Sequence, residues 1–437
     1  MTRNQWKQPV LAIADDFTGA NDAGSGLARA GARVNVLFDV AAEVADAQAD
    51  VWVISTDSRA VSAETAAQRT RLAVERWAEK VRGGWIFKKM DSTLRGNPGA
   101  ETEAALLASG AAAALVVPAV PKLGRTTREG LCYIHDRLLT ATEYASDPKT
   151  PVSNASVLAR LQEQSELKAG LLPLSTVRKP DLAASMAAAI AEGQRLIVVD
   201  AETDEDLLHI MRAAAALPAR PLLAGASGLS DALSDLLTES DEAKASLSAP
   251  LSPQSTVLAV VGSMSEIARQ QISRLQQRYP LQLIDVSIQQ IFNGEGADAP
   301  WRQQAINALQ QGQHCVIRTC QQASQREEID ALCAQYGLTR QQLGEQICAF
   351  LAGLTRDVLS DVQPAGLYLS GGDVAIAVAR GLGAEGFRIM GQVAGCVPWG
   401  QLLKSKNDLL VLTKAGGFGD ENTLVEVFRF IEEKAGE

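Results

Sequence analysis

Short apolar runs recur along the chain, each ending in small, hydroxyl-bearing or acidic residues and leading into a helix-forming segment. The first is Val10-Leu11-Ala12-Ile13-Ala14, followed by Asp15-Asp16 and then Phe17-Thr18-Gly19-Ala20-Asn21. Val51-Trp52-Val53-Ile54 leads to Ser55-Thr56-Asp57-Ser58-Arg59, and Trp85-Ile86-Phe87-Lys88-Lys89 leads to Met90-Asp91-Ser92-Thr93-Leu94-Arg95-Gly96. Further runs stand at Val34–Phe38, Ala114–Val117, Leu196–Val199 and Pro221–Ala224. Continuously apolar runs of this length, alternating with helices, are the mark of parallel strands buried on both faces. The fold class expected is therefore α/β, with a mainly parallel sheet flanked by helices.

The chain has 437 residues, more than one core commonly serves, so two domains are expected. Residues 240–256 (SDEAKASLSAPLSPQST) are rich in Ser, Ala and Pro, lack aromatics and carry no apolar periodicity. The expected division is an N-terminal domain over 1–240, a linker over 241–256 and a C-terminal domain over 257–437. The second domain restarts the pattern at Val257–Val261, with further strands at Leu281–Asp285, His314–Arg318, Gly366–Leu369 and Leu409–Leu412. No repeat with a period of 20–50 residues is visible.

With 46% hydrophobic and 21% charged residues the chain can bury sizeable cores. A formal charge of −10 argues against nucleic acid as a partner. The residues before the first strand hold no apolar segment of signal-peptide length, and the uncharged run 104–121 is interrupted by Ser109, Gly110, Pro118 and Pro121. A helix followed by a strand explains that run, and a cytoplasmic protein without a membrane span is expected. The six cysteines and three histidines show no metal-ligand spacing, so no structural zinc site is expected.

Three mouths after N-terminal strands carry polar chemistry. Asp15 and Asp16 end the first strand, where open α/β sheets place their ligands. Strand alternation sends the two carboxylates in opposite directions, one into a cleft and the other into local backbone hydrogen bonds. An Asp-rich turn without chemistry has the same composition. Lys88, Lys89, Ser92, Thr93 and Arg95 suit a small anion, Arg as a planar fork and Lys as a mobile charge, and equally a solvated basic turn. In the C-terminal half the glycine loops Gly262-Ser263-Met264-Ser265, Ser370-Gly371-Gly372-Asp373 and Gly416-Gly417-Phe418-Gly419 each lie between a strand and a helix. Such loops cradle phosphate with backbone amides, and tight strand–helix turns use the same residues. Neither a GxxxxGK[ST] nor a GxGxxG fingerprint occurs. A polar cleft for a small acid, joined to phosphate-cradling loops, fits phosphoryl transfer, which needs alignment, Mg²⁺, charge neutralisation and a carboxylate to take the hydroxyl proton.

Four stretches, ADDFTGANDAG, KKMDSTLRGN, SGGDVA and KAGGFGDENTL, resemble the four-carbon acid sugar kinase family over about residues 11 to 425. That resemblance implies an N-terminal sugar-acid domain, a C-terminal nucleotide domain and an active site in the cleft between them. It also implies ATP-dependent phosphorylation of the terminal hydroxyl of a tetronate-like acid, giving the 4-phosphate, with ATP and Mg²⁺ as cofactors. Carried over by position, Asp16, Arg59, Lys89, Met90, Asp91 and Ser92 touch the substrate, with Arg95 close by. Asp16 is then the base, and Lys89 and Arg95 anchor the acid. Ser263, Gly371, Gly372, Asp373, Val374, Gly416 and Gly417 hold the nucleotide, and no metal ligand is assigned. Asn422 departs from the aspartate expected after the GGFG turn, which leaves a metal or ribose contact there unassigned. The ANDAG ending is closer to threonate-type kinases than to 3-oxo-tetronate kinases, so D-threonate leads, with D-erythronate and 3-oxo-tetronates as alternatives. A non-catalytic sugar-acid sensor is the reading from another class; an aldolase or dehydrogenase acting on the same acids is a third. The partners expected are the sugar acid and ATP, and a homo-oligomer is compatible with them.

Overall fold

The computed structural model describes residues 6–44, 48–146, 150–238, 256–292, 298–319, 322, 325, 328–405 and 409–435. The chain divides into two compact units, Met1–Glu242 and Ala243–Glu437. Of the linker predicted over 241–256, all but Thr256 lies outside the described residues.

The first unit is built on the parallel strands β1 (Val10–Ala14), β2 (Val34–Leu37), β3 (Val51–Ser55), β4 (Trp85–Lys89) and β5 (Ala114–Val117). A small sheet follows, made of β6 (Arg125–Arg128), β7 (Leu131–Ile134) and β8 (Arg137–Leu138), and then the main-sheet strands β9 (Ala169–Leu172), β10 (Leu196–Val199) and β11 (Leu222–Gly225). The main sheet has the order β2-β3-β1-β4-β11-β5-β10-β9, parallel throughout. Connections from β1 run toward β2 and those from β4 run toward β5, so the sheet changes winding direction between β1 and β4. A doubly wound sheet opens its ligand crevice at that point.

The small antiparallel sheet is absent from the sequence reading. Its turns, Glu129-Gly130 and His135-Asp136, have two central residues each with positive φ (49° and 72°, 47° and 60°), the geometry that matches the twist of a tight hairpin. Thr127 ties it to the main sheet: its N–H donates to the Ala201 carbonyl at 2.9 Å, and its Oγ1 accepts from the Ala201 N–H at 2.9 Å.

The second unit contains β12 (Val257–Val261), β13 (Leu281–Asp285), β14 (His314–Arg318), β15 (Gly366–Ser370), β16 (Gly386–Val393), β17 (Val397–Leu403) and β18 (Leu410–Lys414). Within it the order is β13-β14-β12-β15-β18-β17-β16; the strands from β13 to β18 are parallel, and β17 and β16 continue the sheet antiparallel. This unit also reverses its winding, between β12 and β15. Val257, Ala259, Val316, Tyr368 and Leu412 pack one face of this sheet against Ile272, Leu275, Leu424, Phe428 and Ile431. Among the described residues no helix is long and apolar enough to cross a membrane.

Candidate active site

In the first unit the polar residues beyond β1, β3 and β4 form one ion-paired network. The expected divergence of the two aspartates fails. Asp15 and Asp16 lie just past the end of β1, so strand alternation no longer governs them, and both converge on Arg59. Arg59 donates to Asp15 through Nε (2.6 Å) and Nη2 (3.1 Å) and to Asp16 Oδ2 through Nη1 (2.6 Å). The loop carrying Arg59 is stitched to β1: Thr56 N–H donates to the Ala14 carbonyl, and Ser58 N–H to that of Asp15. Asp57 turns it through φ 48°.

Asp16 also caps the helix Phe17–Arg29, its Oδ1 accepting from the Gly19 N–H at 2.7 Å. It therefore does both jobs that had been divided between the two residues. Its side chain is 25% exposed against 2% for Asp15, so Asp16 is the carboxylate a ligand can reach. Burial pushes the Asp16 carboxyl above its usual range, and the neighbouring Asp15 charge adds to this against Arg59. For Asp15 burial works in the same direction, but Arg59 and Lys88 outweigh it and hold the group low.

Lys88 and Lys89, alike in sequence, part company across the pleat. Lys88 is buried, pairs with Glu101 at 2.8 Å, and Glu101 also accepts from Ser58 Oγ at 2.6 Å. Lys89 turns to the other side, where its Nζ donates to the Met90 carbonyl at 3.1 Å and lies 3.9 Å from Asp22. A Cβ placed on Gly19 would stand 2.7 Å from Asp16 Oδ1 and 3.4 Å from Lys89 Nζ, so a bare backbone lets all three share one corner.

Asp91 is enclosed by its own loop, with Oδ2 accepting from the N–H groups of Thr93 and Arg95 and from Arg95 Nε, while Oδ1 accepts from Arg95 Nη2 at 3.1 Å. Burial would raise its carboxyl, but the Arg95 hydrogen bonds and the charges of Arg59 and Arg95 hold it far below the usual range. Arg95 is thus neutralised by Asp91. Met90 is a core side chain whose N–H donates to the Gly225 carbonyl. Ser92 accepts from Arg125 of β6, a residue that sequence reading missed.

In the second unit the loops after β12, β15 and β18 meet. A Cβ on Gly416 would lie 2.3 Å from Ser263 Oγ, and one on Gly262 2.3 Å from Val374 Cγ2. Ser265 Oγ donates to the Gly416 carbonyl at 2.8 Å and caps the helix Glu266–Gln276. Gly371 adopts φ 109° and opens the helix Gly372–Gly381, whose first turn carries the exposed Asp373. Gly417 is exposed, with open space where a side chain would stand. Lys414, the last residue of β18, turns inward beneath this loop. Its Nζ donates to the carbonyls of Ala415 (2.8 Å), Gly416 (2.9 Å) and Phe418 (3.0 Å), while burial pulls its pKa down to about 8. Asn422 accepts from Arg274 Nε at 3.2 Å. Free backbone amides at a helix start, beside a hydroxyl and glycines without steric bulk, suit a phosphate chain. Among the described residues no three His, Cys, Asp or Glu side chains gather into a metal cage.

Residues 10–233 match the family described as the sugar-binding N-terminal domain, and residues 258–424 the nucleotide-binding C-terminal domain. The chain is 41% identical over 427 residues to a D-threonate kinase of Salmonella typhimurium, covering 97% of this chain and 98% of that protein. It is 32% identical to a D-erythronate kinase of Heliobacterium modesticaldum, with 94% of each covered, and 33% identical to a 3-oxo-tetronate kinase of Cupriavidus necator, with 97% of each covered. A crystal structure of a Haemophilus influenzae protein superposes with a TM-score of 0.77 at 26% identity, over 96% of this chain and all of that one (100%).

Proposed function

The chain belongs to the four-carbon acid sugar kinase family, and from that premise we propose that it transfers the γ-phosphoryl group of ATP to the terminal hydroxyl of D-threonate in the cytoplasm. The observation that carries the reading is the pairing of two sites in one chain. The first unit holds a reachable, upshifted carboxylate beside a lysine, and the second a cluster of glycine loops at a helix start. D-threonate is preferred because a D-threonate kinase is 41% identical, whereas an erythronate and a 3-oxo-tetronate kinase are 32% and 33% identical, as are two other D-threonate kinases.

In this reading Asp16 orients the C4 hydroxyl and takes its proton as that oxygen bonds to the γ-phosphorus. The bond from phosphorus to the β,γ-bridging oxygen breaks, and ADP leaves with that electron pair. Lys89, beside Asp16, offsets charge at the reacting oxygens. Arg59 keeps Asp16 in place, and Asp91 with Arg95 shapes the loop that carries Ser92. In the second unit Ser263, Gly371, Gly372, Val374, Gly416 and Gly417 line the phosphate chain. Asp373, exposed in the first turn of the helix Gly372–Gly381, is the carboxylate that would meet a phosphate-bound Mg²⁺, which would supply neutralisation of phosphate charge.

The test is ADP release measured over D-threonate, L-threonate, D-erythronate and 3-oxo-tetronates, for the native protein and for Asp16→Asn. D-threonate should give the highest kcat/KM, and the substitution should lower kcat by about 10²- to 10⁴-fold. Full turnover by Asp16→Asn removes the base, and preference for another acid reassigns the substrate.

A further inference from the structure

Among the arginines of the first unit's polar network, Arg59, Arg95 and Arg125 differ in one respect that bears on ligand binding. Arg59 is saturated by Asp15 and Asp16, and Arg95 is forked onto Asp91. Arg125 has neutral partners: Nη1 donates to Ser92 Oγ, and Nη2 donates to the Tyr144 hydroxyl at 3.3 Å. Among the described residues no carboxylate pairs with it. Its guanidinium carbon lies 5.9 Å from the centre of the Tyr144 ring, which also stacks near that of Arg95 at 5.4 Å.

Its backbone is fixed at the sheet edge. The Val120 N–H donates to the Arg125 carbonyl at 2.8 Å and the Arg125 N–H donates back at 3.2 Å, so β6 starts as a bridge to the segment leaving β5. The neighbouring Gly124 takes φ 64° with His135 packed where a side chain would stand. An unneutralised, partly buried arginine held this firmly is an anion site awaiting its anion. The proposed substrate has a hydroxyl at one end and a carboxylate at the other. The hydroxyl end belongs at Asp16 and Lys89, and Arg95 can give the carboxylate little net charge because Asp91 already neutralises it.

Resting on the kinase reading above, we infer that Arg125 is the residue that binds the substrate carboxylate, and so sets the preference for an acid over an uncharged four-carbon polyol or amide. Ser92 and Tyr144 hold the guanidinium in plane, and the small sheet exists at this edge to deliver it.

The experiment compares the native full-length protein with Arg125→Gln and Arg125→Lys, using D-threonate and D-threonamide as paired substrates. Arg125→Gln should raise the KM for D-threonate by roughly 10- to 150-fold, the loss of a charge-assisted fork. Its KM for threonamide and for MgATP should stay within about threefold of native, so the preference for acid over amide collapses. Arg125→Lys, which keeps the charge and loses the fork, should fall between the two. Thermal protection by D-threonate without nucleotide reads the same contact if turnover is nil. An unchanged KM and unchanged protection in either variant, or an equal loss for acid and amide, overturns the assignment. A native protein that D-threonate protects but that phosphorylates nothing refutes the kinase reading and leaves this contact standing. If Arg125→Gln does not fold, as judged by its melting temperature, Arg125→Lys decides alone.

Discussion

Lys414 offers the sharpest perturbation of the glycine loop proposed to hold the nucleotide. Its ammonium has three N–H donors and the loop presents three carbonyls to them, at 2.8, 2.9 and 3.0 Å. Burial lowers its pKa from 10.5 to about 8. Above that pH the neutral amine has two donors for three acceptors, so one hydrogen bond is lost, worth about 0.5–1.5 kcal/mol. The KM for MgATP should therefore rise about two- to twelvefold between pH 7 and 9.5. Lys414→Met, similar in volume and without donors, should already be weakened at pH 7, by roughly 10- to 100-fold if two such contacts are felt in binding, and should show no further change up to pH 9.5. Stability moves the other way. The folded state binds fewer protons than the unfolded chain between about 8 and 10.5, so this group's contribution is complete above 10.5 and lost as pH falls through 8. The assays are isothermal titration with ADP and melting temperature, each across pH 7–10.5. Identical pH dependence of ADP affinity in native and Lys414→Met proteins would refute the reasoning.

Three further outcomes follow from the same geometry. Lys88→Met leaves Glu101 buried without its cation and should cost about 3–5 kcal/mol; burial raises the Glu101 carboxyl, so chemical denaturation should show part of this recovered as pH falls and the carboxyl is neutralised, and most of it in Lys88→Met/Glu101→Leu. Gly416→Ala drives a methyl into Ser263 Oγ, 2.3 Å from the Cβ position, and should weaken ADP binding at least about tenfold while D-threonate protection is unchanged. Asp200, which accepts from the Gly130 N–H at 3.1 Å, has its carboxyl raised by burial to about 6. The folded state holds that proton longer than the unfolded one, so stability falls as pH rises from about 4 to 6. Asp200→Asn, which keeps an acceptor for Gly130, should flatten the melting temperature over that window.

The local layers of this structure were legible in the sequence. Apolar runs gave strands such as Val257–Val261 and Ala114–Val117 to the residue, and the polar mouths after β1, β3 and β4 do form one network. What depends on chain segments distant in sequence was not. Lys88 and Lys89 read alike and both are buried, yet Lys88 pairs with Glu101 while Lys89 lies on the side of Asp22, a division set by helices distant from the strand. The convergence of Asp15 and Asp16 needs Arg59 to fold back over β1. Arg125 could not be found, because its place depends on a hairpin anchored through Thr127 to Ala201, and the turns Glu129-Gly130 and His135-Asp136 lack the Asn-Gly or Asp-Gly signature. The antiparallel pair β16 and β17 was missed as well: RIMGQVAGCVPWG holds a bulge between Ile389 and Gly391 that breaks the alternation.

The central claim is that this chain moves phosphate from ATP to the far hydroxyl of a four-carbon acid. Phosphorus NMR of the product formed from D-threonate and MgATP tests it most directly. The account predicts ADP and a single phosphomonoester coupled to the C4 protons in equal amounts. A protein that binds both ligands yet yields no ester, or an ester on C2 or C3, would contradict it.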